Sequence, residues 1–156
     1  TGYPDGYFYP SGTVTRADFV TMLSRLSGQA LPLYGSQFSD VTADRYYARA
    51  VAWAAAAGIT LGDGQGHFLP QAFISRQEMA AMLYRYAAYM GVALPRGNGS
   101  LPFTDSSSIF AYAVEPVSAM NAAAILQGYP DGSFRPLGNA TRAEAAKMLY
   151  LLDAYR

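Results

Sequence analysis

Three arginines stand directly after a Thr or Ser in three copies of one short motif, and an acidic residue follows each arginine by two positions. The arginines lie 60 and 66 residues apart. The hydroxyl residues are Thr15, Ser75 and Thr141, the arginines are Arg16, Arg76 and Arg142, and the acids are Asp18, Glu78 and Glu144. A hydroxyl residue followed three positions later by an acid is typical of a helix start, so we expect a helix to begin at each arginine.

An arginine in the first turn of a helix needs a reason, because a cation at the positive end of the helix dipole costs about 0.3 to 1 kcal/mol. Free helix amides attract anions, and an adjacent guanidinium adds a planar fork that can hold a carboxylate or phosphate. Ten of the eleven basic residues are Arg, which favours this kind of recognition. The alternative is structural, with the arginines tying loop to helix through nearby acids. The candidate acids are Asp5, Asp40, Asp105 and Asp131.

Each motif is followed by apolar residues at the spacing of one helix face. They fall at i, i+3, i+4 and i+7 in all three copies, as in Phe19, Met22, Leu23 and Leu26 of the first. Stretches 46–57 and 111–123, rich in Ala, Val and Tyr, predict two more helices ahead of the second and third motifs. Pro116 must then lie in the first turn of its helix or kink it. No long alternating stretch predicts a sheet.

A loop pattern ahead of each motif lengthens the repeat. Gly-Tyr-Pro-Asp-Gly-x-Phe-x-Pro begins at Gly2 and at Gly128, and a variant begins at Gly62. Tyr-Pro-Asp-Gly has Pro and Gly where a type I turn prefers them. A lead of the form Phe-x-Asp precedes the second and third copies, at 38–40 and 103–105, but not the first. We therefore expect the second half of a repeat at 1–36 and whole repeats at 38–97 and 103–156.

Composition narrows the functional classes. The chain has 156 residues, of which 51% are hydrophobic and 14% charged, which predicts a globular protein. The helical patterns of the repeats predict that it is all-α and built from helix-loop-helix units. Eleven basic residues balance eleven acidic ones, so nucleic acid is not an expected partner. The absence of cysteine excludes disulfides, zinc-thiolate sites and cysteine nucleophiles. No apolar run reaches the roughly 18 residues of a membrane span, and the start of the chain does not resemble a signal peptide.

Together the motifs resemble those of the S-layer homology (SLH) domain family. The resemblance rests on the loop pattern, the Thr-Arg-Ala-Glu that follows it, and the Phe-x-Asp and Ala-rich helix ahead, and it covers residues 1–27, 38–90 and 103–155. It implies one module over 1–156, in which the repeats form a pseudo-threefold, three-pronged spindle around a central helical bundle. It also implies an extracellular, non-catalytic anchor on the bacterial cell envelope. Such modules bind secondary cell-wall polymer, commonly pyruvylated, in grooves between the prongs.

A pyruvylated sugar matches the residues of the motif chemically. Its carboxylate suits an arginine at a helix N-terminus, and its ring suits an aromatic face. The predicted ligand-binding residues are the three motif triplets named above together with Gly2, Gly62, Gly128 and Trp53. For the glycines a turn role is equally open, and for Trp53 a place in the core. We expect Arg16→Ala and Arg142→Ala to weaken polymer binding while helicity is retained, as for solvent-facing side chains. No cofactor or metal is expected.

Other functions stay open. A wall glycan hydrolase needs two carboxylates across a sugar bond, whereas most acids here already have a capping or turn role. A Ser-His-Asp site would depend on the only histidine, His67, which we expect on a solvent-facing loop. Residues 62–66 carry too few oxygen ligands for a calcium loop. The third class is a protein-interaction or self-assembly module of the surface layer.

The first repeat lacks a lead, which predicts one incomplete prong. We expect about two dozen residues upstream, or the equivalent segment of a neighbouring chain, to complete it. Exchange of an identical element is a low-cost route to a homo-oligomer.

Overall fold

The computed structural model describes residues 5–33, 35–97 and 100–155. Within these ranges it has five α-helices, one short 3₁₀ turn and no strand, so the all-α prediction is confirmed. The helices are α1 (Arg16–Ser27), α2 (Ala48–Ala56), α3 (Arg76–Tyr89), α4 (Ala111–Ala122) and α5 (Arg142–Asp153), and the 3₁₀ turn is Ser106–Ser108. None of these helices combines the length and apolar character that a membrane crossing requires.

The three motif helices begin where the sequence predicts. Thr15, Ser75 and Thr141 have extended backbone, and each side-chain oxygen accepts a hydrogen bond from the amide three residues on. Ser75 and Thr141 form full capping boxes with Glu78 and Glu144. The shorter Asp18 instead accepts a hydrogen bond from the Thr15 hydroxyl at 2.8 Å. Local hydrogen bonding therefore sets the start of all three helices.

The two lead helices are shorter at their ends than predicted, and one contains a proline. Pro116 is the sixth residue of α4 and lies in its second turn, so of the two alternatives for it, a first-turn position or a kink, the first does not hold. Proline removes one amide donor from the helix, and α4 continues past it to Ala122. The predicted tight turn at 129–132 is confirmed, because the amide of Gly132 donates to the carbonyl of Tyr129 at 2.9 Å. Half of its counterpart at 3–6 lies outside the described residues.

Each lead helix packs on the motif helix of the preceding repeat. α2 contacts α1 and α4 contacts α3, while α1 and α3 both contact α5. A single hydrophobic core joins these helices to the loops. In the loops, the buried Phe68 and Phe134 pack against the lead residues Phe38 and Phe103, with ring centroids 5.7 and 5.2 Å apart. The Phe-x-Asp lead is therefore part of the core.

A closed ring of backbone hydrogen bonds relates the three repeats. The amide of Val14 donates to Ala140, that of Ala140 to Ile74, and that of Ile74 back to Val14, at 2.9 to 3.0 Å. Three isolated β-bridges lie beside these bonds, Thr13 with Thr141, Thr15 with Phe73, and Ser75 with Asn139. Each repeat thus bonds to both others in cyclic order. The three-pronged outline and the repeat boundaries stay predictions.

Candidate functional site

The three motif arginines lie inside the molecule. Arg16, Arg76 and Arg142 are 5 to 8% exposed, so the expectation of solvent-facing side chains is wrong. Each Nε donates at 2.8 Å to the carbonyl of a phenylalanine in the loop of another repeat. Each guanidinium carbon also lies 4.9 to 5.1 Å from the ring centre of the same phenylalanine. The phenylalanines are Phe68 for Arg16, Phe134 for Arg76 and Phe8 for Arg142.

Two of the arginines also pair with the capping acid of the next repeat. Nη1 of Arg16 lies 2.6 Å from Oε1 of Glu78, and Nη1 of Arg76 contacts Oε1 of Glu144 in the same way. The structural alternative, in which the arginines pair with acids of the protein, therefore holds for these two arginines. The acids that we expected as partners were wrong. The partners are capping acids about sixty residues away, because the cyclic arrangement brings one helix start beside the next.

The helix amides that might have received an anion are already bonded. In α1, the amide of Arg16 donates to Ala72 at 2.9 Å, that of Ala17 to Pro70 at 3.1 Å, and that of Asp18 to the Thr15 hydroxyl at 3.1 Å. The same pattern serves α3 through Gly138 and Pro136, and α5 through Gly12 and Pro10. The hypothesis of free amides at the helix starts is wrong, since the loop of another repeat satisfies them.

The Phe-x-Asp acids hold loops and do not pair with the motif arginines. Asp40 accepts hydrogen bonds from the amides of Phe68 and Leu69, both at 2.8 Å. Asp105 accepts from the amides of Phe134 and Arg135 at 2.7 and 2.8 Å. Burial raises the pKa of Asp105, but these two amides outweigh it and hold the pKa below its ordinary value. Asp5 and Asp131 bond within their own loops, to Tyr9 and Arg135.

A surface cavity lies between the second repeat's loop and helices α1, α3 and α4, and it is larger than a second cavity one repeat further on. Its volume is about 330 Å³. Arg16, Glu78, Arg85, Tyr112 and Gly62 contribute to its walls. Arg16 contributes to the cavity wall, and its Nη2 has no hydrogen-bond partner among the described residues.

Arg85 gives this cavity a second guanidinium. The side chain is half-buried, and no carboxylate of the described residues lies within ion-pair distance of it. Its one hydrogen bond is a long one, from Nη1 to the carbonyl of Ile59 at 3.5 Å. The cavity therefore combines a weakly engaged cation with the edge of a buried arginine.

The smaller cavity occupies the equivalent place one repeat further on. Its volume is about 150 Å³, and Arg76, Gly128, Tyr129, Glu144 and Lys147 contribute to its walls. Arg76 is fully engaged here, because its Nη2 donates to the carbonyl of Gln127 at 3.0 Å. Where the larger cavity has Arg85, the position 66 residues on is Leu151. The smaller cavity therefore has no second guanidinium, and its cation without a carboxylate partner among the described residues is the ammonium of Lys147, whose Nζ lies 3.4 Å from Oε1 of Gln127.

Glu144 in the smaller cavity and Tyr112 in the larger one have shifted pKa values. Burial raises the pKa of Glu144, but hydrogen bonds from the Thr141 amide and the Tyr129 hydroxyl, together with the charge of Arg76, hold it below its ordinary value. Burial, and then the charge of Glu78, raises the pKa of Tyr112. Glu144 is therefore ionised and Tyr112 protonated near neutral pH.

The glycines and Trp53 have structural roles. A Cβ on Gly62 would lie 2.5 Å from the Phe38 ring, and one on Gly128 would lie 2.9 Å from the Phe103 ring. Both glycines also line a cavity, so close packing and access to the cavity coexist there. Gly2 lies outside the described residues. Trp53 is 4% exposed and donates to Gln29 at 3.1 Å, which favours the core role over sugar stacking.

The remaining predicted residues divide between capping and loop structure. Glu78 and Glu144 line the cavities, whereas Thr15, Ser75, Thr141 and Asp18 act at the helix starts. His67 is on a loop, partly exposed, with Nδ1 2.9 Å from Oδ2 of Asp63. Within the described ranges, no three His, Cys, Asp or Glu side chains come together as metal ligands.

Sequence reasoning missed two cavity residues, Arg85 and Tyr112. Both lie outside the repeated motifs, but Arg85 has a counterpart in Arg25 at the 60-residue spacing of the first two repeats, so repetition carried a signal for it. A second signal for Arg85 was its place on α3 seven residues, or about two helical turns, after Glu78, which puts the two side chains on one face of the helix.

Comparisons with known proteins agree with the sequence motifs. The model of the S-layer homology domain matches residues 1–20, 37–80 and 102–146. The amylopullulanase of Thermoanaerobacterium thermosulfurigenes is 38% identical over 149 residues, which are 96% of this chain and 8% of that protein. Exoglucanase XynX of Acetivibrio thermocellus is 36% identical over 149 residues, 96% of this chain and 14% of that protein.

The name of a third relative refers to anchoring. The cellulosome-anchoring protein of Acetivibrio thermocellus is 26% identical over 152 residues, which are 95% of this chain and 34% of that protein. The chain thus spans a small part of each of these three relatives.

Proposed function

The chain belongs to the S-layer homology domain family, and from that premise we propose that it is a non-catalytic module that anchors a parent protein to the bacterial cell envelope. Its family and the cellulosome-anchoring relative support attachment at the cell surface. The segment makes up only 8 and 14% of the two relatives with enzyme names, so those names assign no reaction to it.

The ligand that we propose is an anionic, pyruvylated secondary cell-wall polysaccharide, bound in the larger cavity. The observation that supports it most is Arg85, a half-buried guanidinium without a carboxylate partner among the described residues, in a cavity of about 330 Å³. A carboxylate is the natural partner of such a fork, because charge-assisted hydrogen bonds to Arg are strong and directional.

The two arginines of the larger cavity have different roles in the proposed ligand binding. Arg85 supplies the free fork, and Nη2 of Arg16 supplies a fixed donor whose guanidinium is held by Phe68 and Glu78. Helix amides take no part, because they are bonded within the protein. A donor that is already held in place loses little conformational freedom when the ligand binds, which favours affinity.

Tyr112 gives the cavity an apolar face for a sugar ring. Its side chain is 47% exposed and lines the cavity together with Arg16 and Arg85. Phenolic rings combine an apolar surface with a polar tip, which suits the mixed faces of a pyranose. Carboxylate and sugar contacts therefore meet in one cavity, and the smaller cavity, with Arg76 fully engaged, is the weaker candidate.

The experiment is an isothermal calorimetric titration of the chain with purified pyruvylated wall polymer. We expect Arg85→Ala to weaken binding about tenfold, the equivalent of about 1.4 kcal/mol for one lost charge-assisted contact. Arg45→Ala is the matched control, because Arg45 is exposed and lines neither cavity. The affinity of the Arg45→Ala variant for the polymer should equal that of the unchanged chain.

Polymer stripped of pyruvate separates the competing functions. Binding should fall with the stripped polymer for the unchanged chain and change little for Arg85→Ala. Equal binding of both polymers would overturn the carboxylate role. Release of sugar would indicate the hydrolase, and self-association without polymer binding would indicate the assembly module.

A further inference from the structure

Phe110 is a large apolar side chain beside the larger cavity, and about half of its surface is in contact with solvent. It is 54% exposed and directly precedes α4, whereas Tyr112, two residues further on, forms part of the cavity wall. The two ring centres lie 6.2 Å apart, and the ring planes meet at 77°. The aromatic surface of the wall therefore continues past Tyr112 and onto the rim of the cavity.

The backbone that carries the Phe110 ring is fixed on both sides. The amide of Phe110 donates to Oε1 of Gln77 at 3.0 Å, and Gln77 is buried in α3. The carbonyl of Phe110 accepts the amide of Ala113 at 2.8 Å. Because these bonds use only backbone atoms of Phe110, the ring itself stays partly in solvent. An aromatic side chain on a fixed backbone loses little conformational freedom when a ligand covers it.

Leu61 adds a second apolar side chain to the opening of the same cavity. It is 65% exposed and contributes to the cavity wall from the loop of the second repeat. The equivalent residue of the smaller cavity, 66 positions further on, is Gln127. Single exposed apolar residues are common on proteins, whereas several of them gathered at one cavity are typical of a binding surface. The larger cavity thus combines charged walls with an apolar rim.

The volume of the larger cavity limits how much of a polymer it holds. Ligand pockets in proteins measure about 300 to 1,000 Å³. At about 330 Å³ this cavity is at the small end of that range, which suits one sugar that carries a carboxylate. The glycan continues from that sugar to the outside of the protein, so the next sugar of the chain lies over the rim.

We propose that Phe110 and Tyr112 form a second subsite, which binds the neutral sugar joined to the pyruvylated one. The inference rests on the proposed function, because it assigns the neighbouring sugar of the same glycan. One face of a pyranose presents mainly C–H groups, which pack on an aromatic ring while the hydroxyl groups stay in water. Arg85 and Arg16 then bind the charged sugar, and Phe110 contacts only a glycan of two sugars or more.

Two synthetic ligands separate the two subsites in isothermal calorimetric titrations. The first is the methyl glycoside of one hexose that carries a pyruvate ketal. The second is a disaccharide in which this hexose is joined through its anomeric carbon to a neutral hexose. The unchanged chain should bind the disaccharide more tightly. We expect Phe110→Ala to weaken disaccharide binding about fivefold, because one ring contact is lost, and to leave monosaccharide binding unchanged. Arg85→Ala should weaken the binding of both ligands.

Two further variants serve as controls. Phe73→Ala removes another phenylalanine, one that is 51% exposed and lines neither cavity, so its affinity for both ligands should equal that of the unchanged chain. Phe110→Tyr keeps the ring and should keep the affinity for the disaccharide. Unchanged monosaccharide binding by Phe110→Ala also shows that this variant is folded.

Equal affinity of the unchanged chain for the two ligands would overturn the second subsite. Full disaccharide binding by Phe110→Ala would do the same. An equal loss for both ligands in that variant would show that Phe110 supports the cavity wall and does not contact the second sugar. In each of these cases, monosaccharide binding that Arg85→Ala weakens would leave the proposed function in place. Binding of neither ligand would overturn the proposed function and the subsite together.

Discussion

At the scale of single residues, the motif arginine is a clamp between repeats. Arg76 donates Nε to Phe134, Nη2 to Gln127 and Nη1 to Glu144, and its guanidinium lies over the rings of Phe134 and Tyr129. A buried guanidinium is tolerated only when its donors are satisfied in this way. The unfavourable position of a cation at a helix start is offset by the carboxylate of the neighbouring helix start.

Arg76→Ala should therefore destabilise the fold strongly. The substitution leaves the carbonyls of Phe134 and Gln127 without their donor and Glu144 without its cation, so we expect a loss of about 3 kcal/mol in unfolding free energy. Urea denaturation followed by circular dichroism measures it. The exposed Arg45→Ala should keep the midpoint of the unchanged chain, and an equal midpoint for both variants would contradict the clamp.

At the scale of elements, each lead segment is held by a glycine that has no room for a side chain. Gly128 lies under the Phe103 ring, and Phe103 stacks on Phe134 at 5.2 Å between ring centres. Asp105, two residues after Phe103, accepts the amides of Phe134 and Arg135. The lead thus fixes the loop by one aromatic contact and two hydrogen bonds, and the loop carbonyls then accept amides from the start of α3, the motif helix of the preceding repeat.

Gly128→Ala should force the Phe103 ring or the Ser133 carbonyl to move, since both lie 2.9 Å from the new Cβ. Overpacking of this kind costs about 1 to 3 kcal/mol, and thermal unfolding would show it as a lower midpoint. Gly35→Ala is the matched comparison, because its Cβ would meet only Ala43 at 3.8 Å. A similar thermal unfolding midpoint for both variants would mean that the Phe103 lead can move without loss of stability.

At the scale of the whole molecule, the repeats are not independent units in a row. The ring through Val14, Ile74 and Ala140 closes the third repeat onto the first, and each motif helix start depends on a loop from another repeat. Interactions that link all three units in a cycle favour one cooperative transition over stepwise loss of repeats.

We expect fluorescence of Trp53 and far-ultraviolet circular dichroism to report the same unfolding midpoint. Ala140→Pro removes the amide that donates to Ile74, so it should lower both midpoints together although Trp53 lies in α2. A change in the circular dichroism midpoint alone would contradict cooperative closure of the ring. Chemical denaturation in urea with both probes on one sample provides the comparison.

Features that depend on neighbours in sequence were predictable. Thr15, Ser75 and Thr141 cap their helices through bonds spanning three residues, so spacing alone located the helix starts and, with them, the repeats. The family resemblance was readable for the same reason, and the comparisons confirm it.

The surroundings of the motif arginines depend on contacts between residues about sixty positions apart in the sequence. Arg16 meets Glu78 and Phe68, and Arg76 meets Glu144 and Phe134, only because the three repeats close into a ring. The spacing of the repeats in the sequence cannot show which repeat supplies the partner of each arginine. The sequence therefore predicted solvent-facing arginines, whereas the structure buries them. Arg85 likewise repeats Arg25 in the sequence, but only packing in three dimensions shows that Arg85 shares a cavity with Arg16 and Tyr112.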